Sequence, residues 1–358
     1  MVATLGQLIA AESPSKDLEA VTKCASVVAE SGERILGSDP ERLEVEGRPH
    51  LSWRFGVPKV MLLGHFDTVW PIGSLQDWPT EKKDGIISGP GSFDMKAGIV
   101  QGLFAIAALE DKSGVHLLLT SDEEIGSPSS RKLIEDSAGE VQAVLVLEPS
   151  EKGALKVARM GVSGYQLQVD GLAAHAGIDP TKGINAVIEL ARQILAVEKI
   201  ADPTVGTTVT PTVASAGTTA NTVPARAEVH LDVRAPTIEE QTRVDKELRN
   251  LSASIEGATV TVSGGPNRPP LEREASAELF ELAQQVGQEL GMPLLEGVRV
   301  GGGSDGNLTA AVGVRTLDGL GAVGGGAHAL SEHVVVDAMS ERAALVAGLL
   351  ERLLRDGS

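Results

Sequence analysis

Three short apolar runs in this sequence each empty into a histidine or into acids. Residues 59–64 (KVMLLG) lead straight into His65-Phe66-Asp67, residues 115–121 (VHLLLTS) into Asp122-Glu123-Glu124, and residues 143–147 (AVLVL) into Glu148. Runs of that length and composition read as buried strands. In an open parallel sheet, ligands bind in the crevice outside the carboxyl ends of the strands, so three strands deliver an imidazole and several carboxylates to one edge. That set suits divalent-metal chemistry and metal-assisted hydrolysis. His65 and Asp67 stand two apart and so share a face. There the carboxylate accepts the second imidazole N–H and fixes the tautomer. The adjacent acids supply two different things a metal hydrolase needs: a carboxylate ligand, and a carboxyl that carries a proton from water to the leaving amine. An ionised Glu148 at the end of an apolar run is costly unless partnered, and a metal ion is the simplest partner.

Two further residues are ambiguous from their type alone. Asp94 lies in SGPGSFDMKAG (residues 88–98), where a glycine-rich loop becomes a helix. It reads either as an N-cap or as a carboxylate bridging two metals. His328 lies in GGGAHALSEH. It matters because the other candidates offer one imidazole among carboxylates, and zinc favours nitrogen ligands. Glu332 is expected to support His328, with His333 as a weaker substitute ligand. A different class, a serine hydrolase, is suggested by Gly302-Gly303-Ser304-Asp305-Gly306 with Asp318 and His328 following in order. It lacks an oxyanion-type HGG motif and leaves the metal-type residues unexplained. A metal-binding protein without catalysis is a third reading, and the Glu123/Glu124 pair speaks against it. Gly319-x-Gly321-x-x-Gly324 mimics a dinucleotide fingerprint but opens into more glycine, not a helix.

The elements that must position these residues fall into two rhythms. Up to about residue 160, helical patterns over 4–31, 95–110 and 127–137 alternate with the three apolar runs. This is the signature of an α/β fold with a mostly parallel sheet covered on both faces. Over 162–265 the strands alternate polar and apolar residues: strand 163–170, an amphipathic helix 184–199, strands 204–216 and 225–234, a helix 237–255 and a strand 258–263. That βαββαβ order is ferredoxin-like. The first rhythm then resumes with a helix at 274–290, strands at 297–300 and 314–317, and a closing helix at 338–354. The expected organisation is a catalytic domain from 1–161 and 268–358, with 162–267 inserted as a lid or dimerisation module.

The chain of 358 residues is long enough for two domains. A net charge of −18 argues against nucleic acid and against anionic membranes, since both are bound by clustered Lys and Arg. Cys24 is the only cysteine, which excludes an intramolecular disulfide and suits a reducing compartment. The first residues carry no basic stretch followed by a long apolar one, and no apolar run is long enough to span a bilayer. A cytoplasmic protein is expected.

Taken in order, GHFDTV, SGPGSFDMKAG, SDEEIGS, LEPS, AAHAG, ANTVPARAEVHLDVR, GGGSD and GGGAHALSEHV resemble the dinuclear zinc metallopeptidases of the acetylornithine deacetylase, succinyl-diaminopimelate desuccinylase and aminoacylase family. The likeness is greatest to glutamate carboxypeptidases of the carboxypeptidase G type, and it extends from about residue 60 to 340. It implies a zinc-exopeptidase-like fold and two Zn2+ per subunit, with Co2+ or Mn2+ as substitutes. One metal would be held by His65, Asp94 and Glu148, the other by Asp94, Glu124 and His328, with Asp94 bridging. The resemblance also implies Glu123 as general base and acid, Asp67 as orienter of His65, and a cis peptide after Asp94. It makes His175 an oxyanion donor reaching in from a partner subunit of a homodimer. Asn221, Arg234 and, more loosely, Arg268 become substrate contacts. The implied reaction cleaves an amide beside a carboxylate, in a peptide or in an N-acyl amino acid. The sequence departs from many relatives at Ala329 and His333, which puts substrate contacts from that loop in doubt.

Overall fold

In the computed structural model, which describes residues 1–356, the three apolar runs form adjacent parallel strands. Val60–His65 lies between Val115–Thr120 and Ala143–Val146, and every residue of the three is buried. Burial on both faces is why they read as continuous apolar runs rather than alternating ones. Arg315–Leu317 adds a further parallel strand beside Ala143–Val146. At the other edge the hairpin Glu41–Val45/Arg48–Arg54 pairs antiparallel with Val115–Thr120, so the six-stranded sheet is mixed. The sequence pattern does not announce this hairpin, because its outer strand is charged and mostly exposed. Its turn, with Glu46 and Gly47 both at positive φ, is the two-residue type that matches strand twist.

This sheet belongs to the first of two units, which comprises Met1–Ala158, Leu271–Val300 and the chain from Ser304 onward. Its core gathers side chains such as Leu62, Leu117, Leu145, Ile99, Leu103 and Leu349, each worth about 1.5–3 kcal/mol when fully buried. Helix Ala97–Ala108 is apolar nearly all round and packs against the closing helix Ala338–Asp356. Gly98 is what lets it sit close: a Cβ there would stand 2.0 Å from the main-chain oxygen of Leu147. The helix expected over 4–31 is two helices, Val2–Ala10 and Leu18–Leu36. Pro14 breaks the run, and Asp17 restarts it by accepting the Ala20 N–H at 3.0 Å. Other elements that escaped the sequence pattern include Leu155–Arg159, which pairs with Gly297–Val300, and the short helix Gly306–Ala311.

The second unit comprises Arg159–Pro270 with Gly301–Gly303. Its four-stranded antiparallel sheet has the order Thr208–Ala216, Arg226–Ala235, Gly161–Asp170, Thr259–Arg268. Helices Ala186–Glu198 and Ile238–Arg249 complete a strand–helix–strand–strand–helix–strand chain order. The two central strands alternate in burial, with Leu167, Val169, Val229 and Leu231 packed against Leu190, Val244 and Leu248. The second helix stops at Arg249, not near 255, because Glu189 captures the Ser254 and Ile255 amides at 2.9 Å each. No helix among the described residues is long and apolar enough to cross a membrane.

Candidate metal centre

His65, the last residue of its strand, is buried. Its Nε2 lies 3.5 Å from Asp94 Oδ1 and 3.4 Å from Glu148 Oε1. The other oxygen of the same aspartate, Oδ2, lies 3.6 Å from His328 Nε2, which also stands 3.2 Å from Glu124 Oε1. One carboxylate therefore addresses two imidazoles, one through each oxygen. Asp94 caps no helix; its side chain faces the imidazoles, and the Asp94–Met95 peptide is cis. Candidate ligand atoms of His65, Asp94 and Glu124 lie within 4.8 Å of one another, as do those of His65, Glu123 and Glu148.

These distances decide what the cluster can hold. His65 Nε2 and Asp94 Oδ1 are buried and make no hydrogen bond, an arrangement that costs free energy when nothing lies between the atoms. The spacings are close to the roughly 3.3 Å separating two donors on a tetrahedral ion with bonds of about 2.0 Å. Imidazole and carboxylate are also donors such an ion accepts, so the residues fit the group.

The electrostatics agree. Burial works against a charged His65, but the surrounding Asp67, Asp94 and Glu148 carboxylates outweigh it and raise the ring's pKa well above 6.5. His328 is pushed up to about 9, chiefly by Glu124 and then, against the opposing effect of burial, by Asp94 and Glu332. Burial raises Glu124. Protons here balance a concentration of negative charge that a divalent cation would balance in their place. His328 has a side chain 52% exposed against 2% for His65, so the cluster is open on the His328 side.

The supports come from far along the chain. Asp67 does more than orient His65, whose Nδ1 lies 3.1 Å from its main-chain oxygen and 3.3 Å from Oδ1. Its carboxylate also accepts the Glu123 and Glu124 amides at 3.2 Å each and the Ser15 hydroxyl at 2.6 Å. These contacts hold it ionised below the usual carboxylate range despite burial. Asp122 is buried beneath the same turn and takes the hydroxyls of Ser129 at 2.7 Å and Ser130 at 2.5 Å. Asp305 accepts the hydroxyls of Ser127 and Thr120. In the sequence Asp122 stood among the acids that end the second apolar run and Asp305 inside the GGSDG run, and neither pattern signalled a supporting role. Glu332 is not hydrogen-bonded to His328 as expected. It accepts main-chain N–H groups of the Asp94 loop, because the strand His333–Val335 pairs with Ile86–Ser88, which feeds that loop. His333 turns to the Ser331 carbonyl at 2.8 Å.

The remaining candidates lie in the second unit. His175 and Asn221 are neighbours: Ala174–His175 pairs with Thr222–Val223, and Ala176 N donates to the Asn221 carbonyl at 2.8 Å. His175 is exposed, and its Nδ1 accepts the Gly177 and Ile178 amides at 3.2 Å each, which leaves the ring hydrogen on Nε2. Arg234 is held by both oxygens of Asp232 at 2.8 and 2.9 Å. Arg268 is buried, with Gln241 donating to its carbonyl at 2.9 Å. The serine-hydrolase constellation is not assembled. Ser304 is buried and donates directly to Asp318 at 2.6 Å, while His328 faces Glu124 and Asp94.

Residues 61–352 match the model of peptidase family M20/M25/M40. The chain belongs to this family. The M20 chain is 29% identical over 360 residues to carboxypeptidase G2 of Pseudomonas sp. (strain RS-16), covering 98% of this chain and 83% of that protein. It is 30% identical over 338 residues to a succinyl-diaminopimelate desuccinylase of Xanthomonas campestris, covering 84% and 85%. Among solved structures it is similar to the M20 metallo-carboxypeptidase Sso-CP2 of Sulfolobus solfataricus (TM-score 0.75, 18% identical, 98% of each chain). It is also similar to the aminopeptidase PepT of Bacillus cereus (TM-score 0.77, 20% identical, 99% and 98% covered). The structural likenesses establish the α/β fold. The family establishes this M20 chain as a hydrolase.

Proposed function

We propose that this hydrolase cleaves an amide bond beside a carboxylate with two zinc ions, and that it is closest in kind to a glutamate carboxypeptidase releasing a C-terminal amino acid. The observation that carries the reading is Asp94, whose two oxygens face His65 and His328 separately. His65, Asp94 and Glu148 would hold one ion, and Asp94, Glu124 and His328 the other. When bound, such a pair lowers the pKa of water and polarises the scissile carbonyl.

The chain's own residues do the rest. Glu123 takes a proton from the attacking water and returns it to the leaving nitrogen. Asp67 fixes both the His65 ring and the turn that carries Glu123. His175, with its hydrogen on Nε2, donates to the oxyanion. Arg234 grips the substrate carboxylate, with Asn221 and Arg268 as further substrate contacts. In our reading the second unit is a ferredoxin-like lid and dimerisation module. The exposed edge strand Thr208–Ala216 supports a homodimer in which His175 serves the partner's site.

The test is Glu123→Ala. It should keep its metal and lose about 10²–10⁴-fold in kcat; turnover within a few-fold of wild type removes Glu123 from the mechanism. Deacylation of an N-acyl amino acid is a second reading, favoured by the match to a desuccinylase. Assaying C-terminal glutamate peptides against N-acyl amino acids, with added Zn2+ or Co2+, separates the two.

A further inference from the structure

The loop that carries Asp94 has no regular structure to hold it: Asp94 and Met95 both leave helical geometry inside the turn Ser92–Lys96. Its amides nevertheless converge on one buried side chain. Glu332 Oε1 accepts the Phe93 N–H at 2.8 Å and the Asp94 N–H at 3.0 Å. Glu332 Oε2 accepts the Gly91 N–H at 3.2 Å and the Trp70 indole N–H at 2.8 Å. Glu332 stands four residues after His328, in a turn closed by Ala329 N to Gly326 O and Glu332 N to Ala329 O, both at 2.9 Å. That turn is tight: Gly326 is at φ +77°, and a Cβ there would meet the Ser331 and Glu332 main chain at 2.6–2.7 Å.

We propose that Glu332 is a positioning residue, a buried carboxylate clamp that sets the main chain of Asp94 and locks it to the loop bearing His328, so that the two-metal site is preformed before metal arrives. The inference rests on the metal-site reading above. A carboxylate suits the task because it offers acceptors only, and all four neighbours donate. Glutamine would turn an amide N–H toward those donors. Aspartate keeps the charge but falls a methylene short. Outer partners of this kind typically set metal affinity by about 10–100-fold.

The experiment is Zn2+ affinity by chelator competition on the full-length protein, for wild type, Glu332→Gln and Glu332→Asp. It is run below each variant's Tm and paired with amide hydrogen exchange of metal-free wild type. Both variants should bind Zn2+ at least about 10-fold more weakly while folded, and the Phe93 and Asp94 amides should already be protected without metal. Wild-type affinity in either folded variant overturns the clamp. Weakening in the glutamine variant alone reduces Glu332 to a charge effect and overturns it too. If the variants do not fold, exchange of those amides at free-loop rates in metal-free wild type overturns it. A wild type that binds no Zn2+ tightly defeats the metal-site reading instead, which is a distinct result.

Discussion

The two units differ in where they gather buried acids around imidazoles. In the first, His65, Asp67, Glu148 and Glu332 are buried, and their partners lie far off in sequence: Glu332 meets Phe93, and Asp67 meets Glu123. In the second, the ion pairs are mostly local and at the surface: Arg243 with Glu240 and Glu247, Arg249 with Asp245, Lys182 with Asp179. Burying a charge without compensation costs several kcal/mol, while an exposed pair is worth about 0–1 kcal/mol. Buried acids clustered on two imidazoles therefore call for a compensating charge, which the proposed metal pair would supply, while the second unit's pairs are explained by solubility and modest local support.

The sharpest way to break that contrast is Asp94→Ala. It removes the one side chain shared by both imidazoles, so both metals should be lost and turnover should fall below that of Glu123→Ala, past the roughly 10²–10⁴-fold expected for losing a proton carrier. Metal content after dialysis reads the first effect and steady-state assay the second. Retention of two metals would place the bridge elsewhere.

Gly98→Ala tests whether packing behind the site is as strict as the charges in front of it. Alanine gains up to about 1 kcal/mol of helix propensity over glycine. Here the new Cβ falls 2.0 Å from the Leu147 carbonyl, a main-chain atom one residue from Glu148. Overpacking of this sort costs about 1–3 kcal/mol, so the clash should win. The urea midpoint should fall, and metal affinity with it as Glu148 shifts. A stabilised variant would show that the helix can draw back.

A third test concerns buried histidine outside the metal cluster. His116 is buried against Ser52, its Nε2 3.0 Å from the hydroxyl. Desolvation lowers its pKa to about 3, with a smaller push from Arg54. The unfolded chain takes up that proton as pH falls through about 6.5, while the folded protein does not until about 3. Stability from this group is thus present above 6.5 and lost progressively between 6.5 and 3. Between pH 6.5 and 5 the difference between wild type and His116→Gln should steepen toward about 1.4 kcal/mol per pH unit. Parallel stability curves would contradict the shift.

How much of this was legible follows the same contrast. The apolar runs 59–64, 115–121 and 143–147 could be read because strands buried on both faces are mostly aliphatic and do not alternate with charged residues, and the acids at their ends stood out against them. Asp94 and His328 could not be read from type alone: one looks like a cap, the other like a loop histidine, and only the ordered motifs around them singled them out. Glu332 was misread because adjacency in sequence suggested His328 as its partner. Pairing of His333–Val335 with Ile86–Ser88 brings it instead to a loop some 240 residues away, and no local pattern encodes that. The hairpin Glu41–Val45/Arg48–Arg54 was missed for a related reason: an edge strand exposed to water has no apolar signature.

The smallest effect is expected from Arg243→Ala in the second unit. Arg243 reaches Glu240 at 2.7 Å and the Ile200 carbonyl at 3.0 Å. Arg243 and then the Thr207 hydroxyl hold Glu240 down to a pKa of about 2. In an enclosed setting such a depression would mark one of the stronger contacts in the unit. The side chains are 32% and 19% exposed, however, and water screens what they gain, so the loss should stay below about 1 kcal/mol. A depressed carboxyl contributes above its unfolded pKa, near 4.3, and loses that contribution as pH falls toward 2. The wild type's margin over Arg243→Ala should therefore be flat from pH 7 to 5, shrink below that, and shrink also in molar salt. A loss of several kcal/mol that ignored both pH and salt would mean that the second unit's ion pairs, too, act as buried charges, and the contrast between the units would fail.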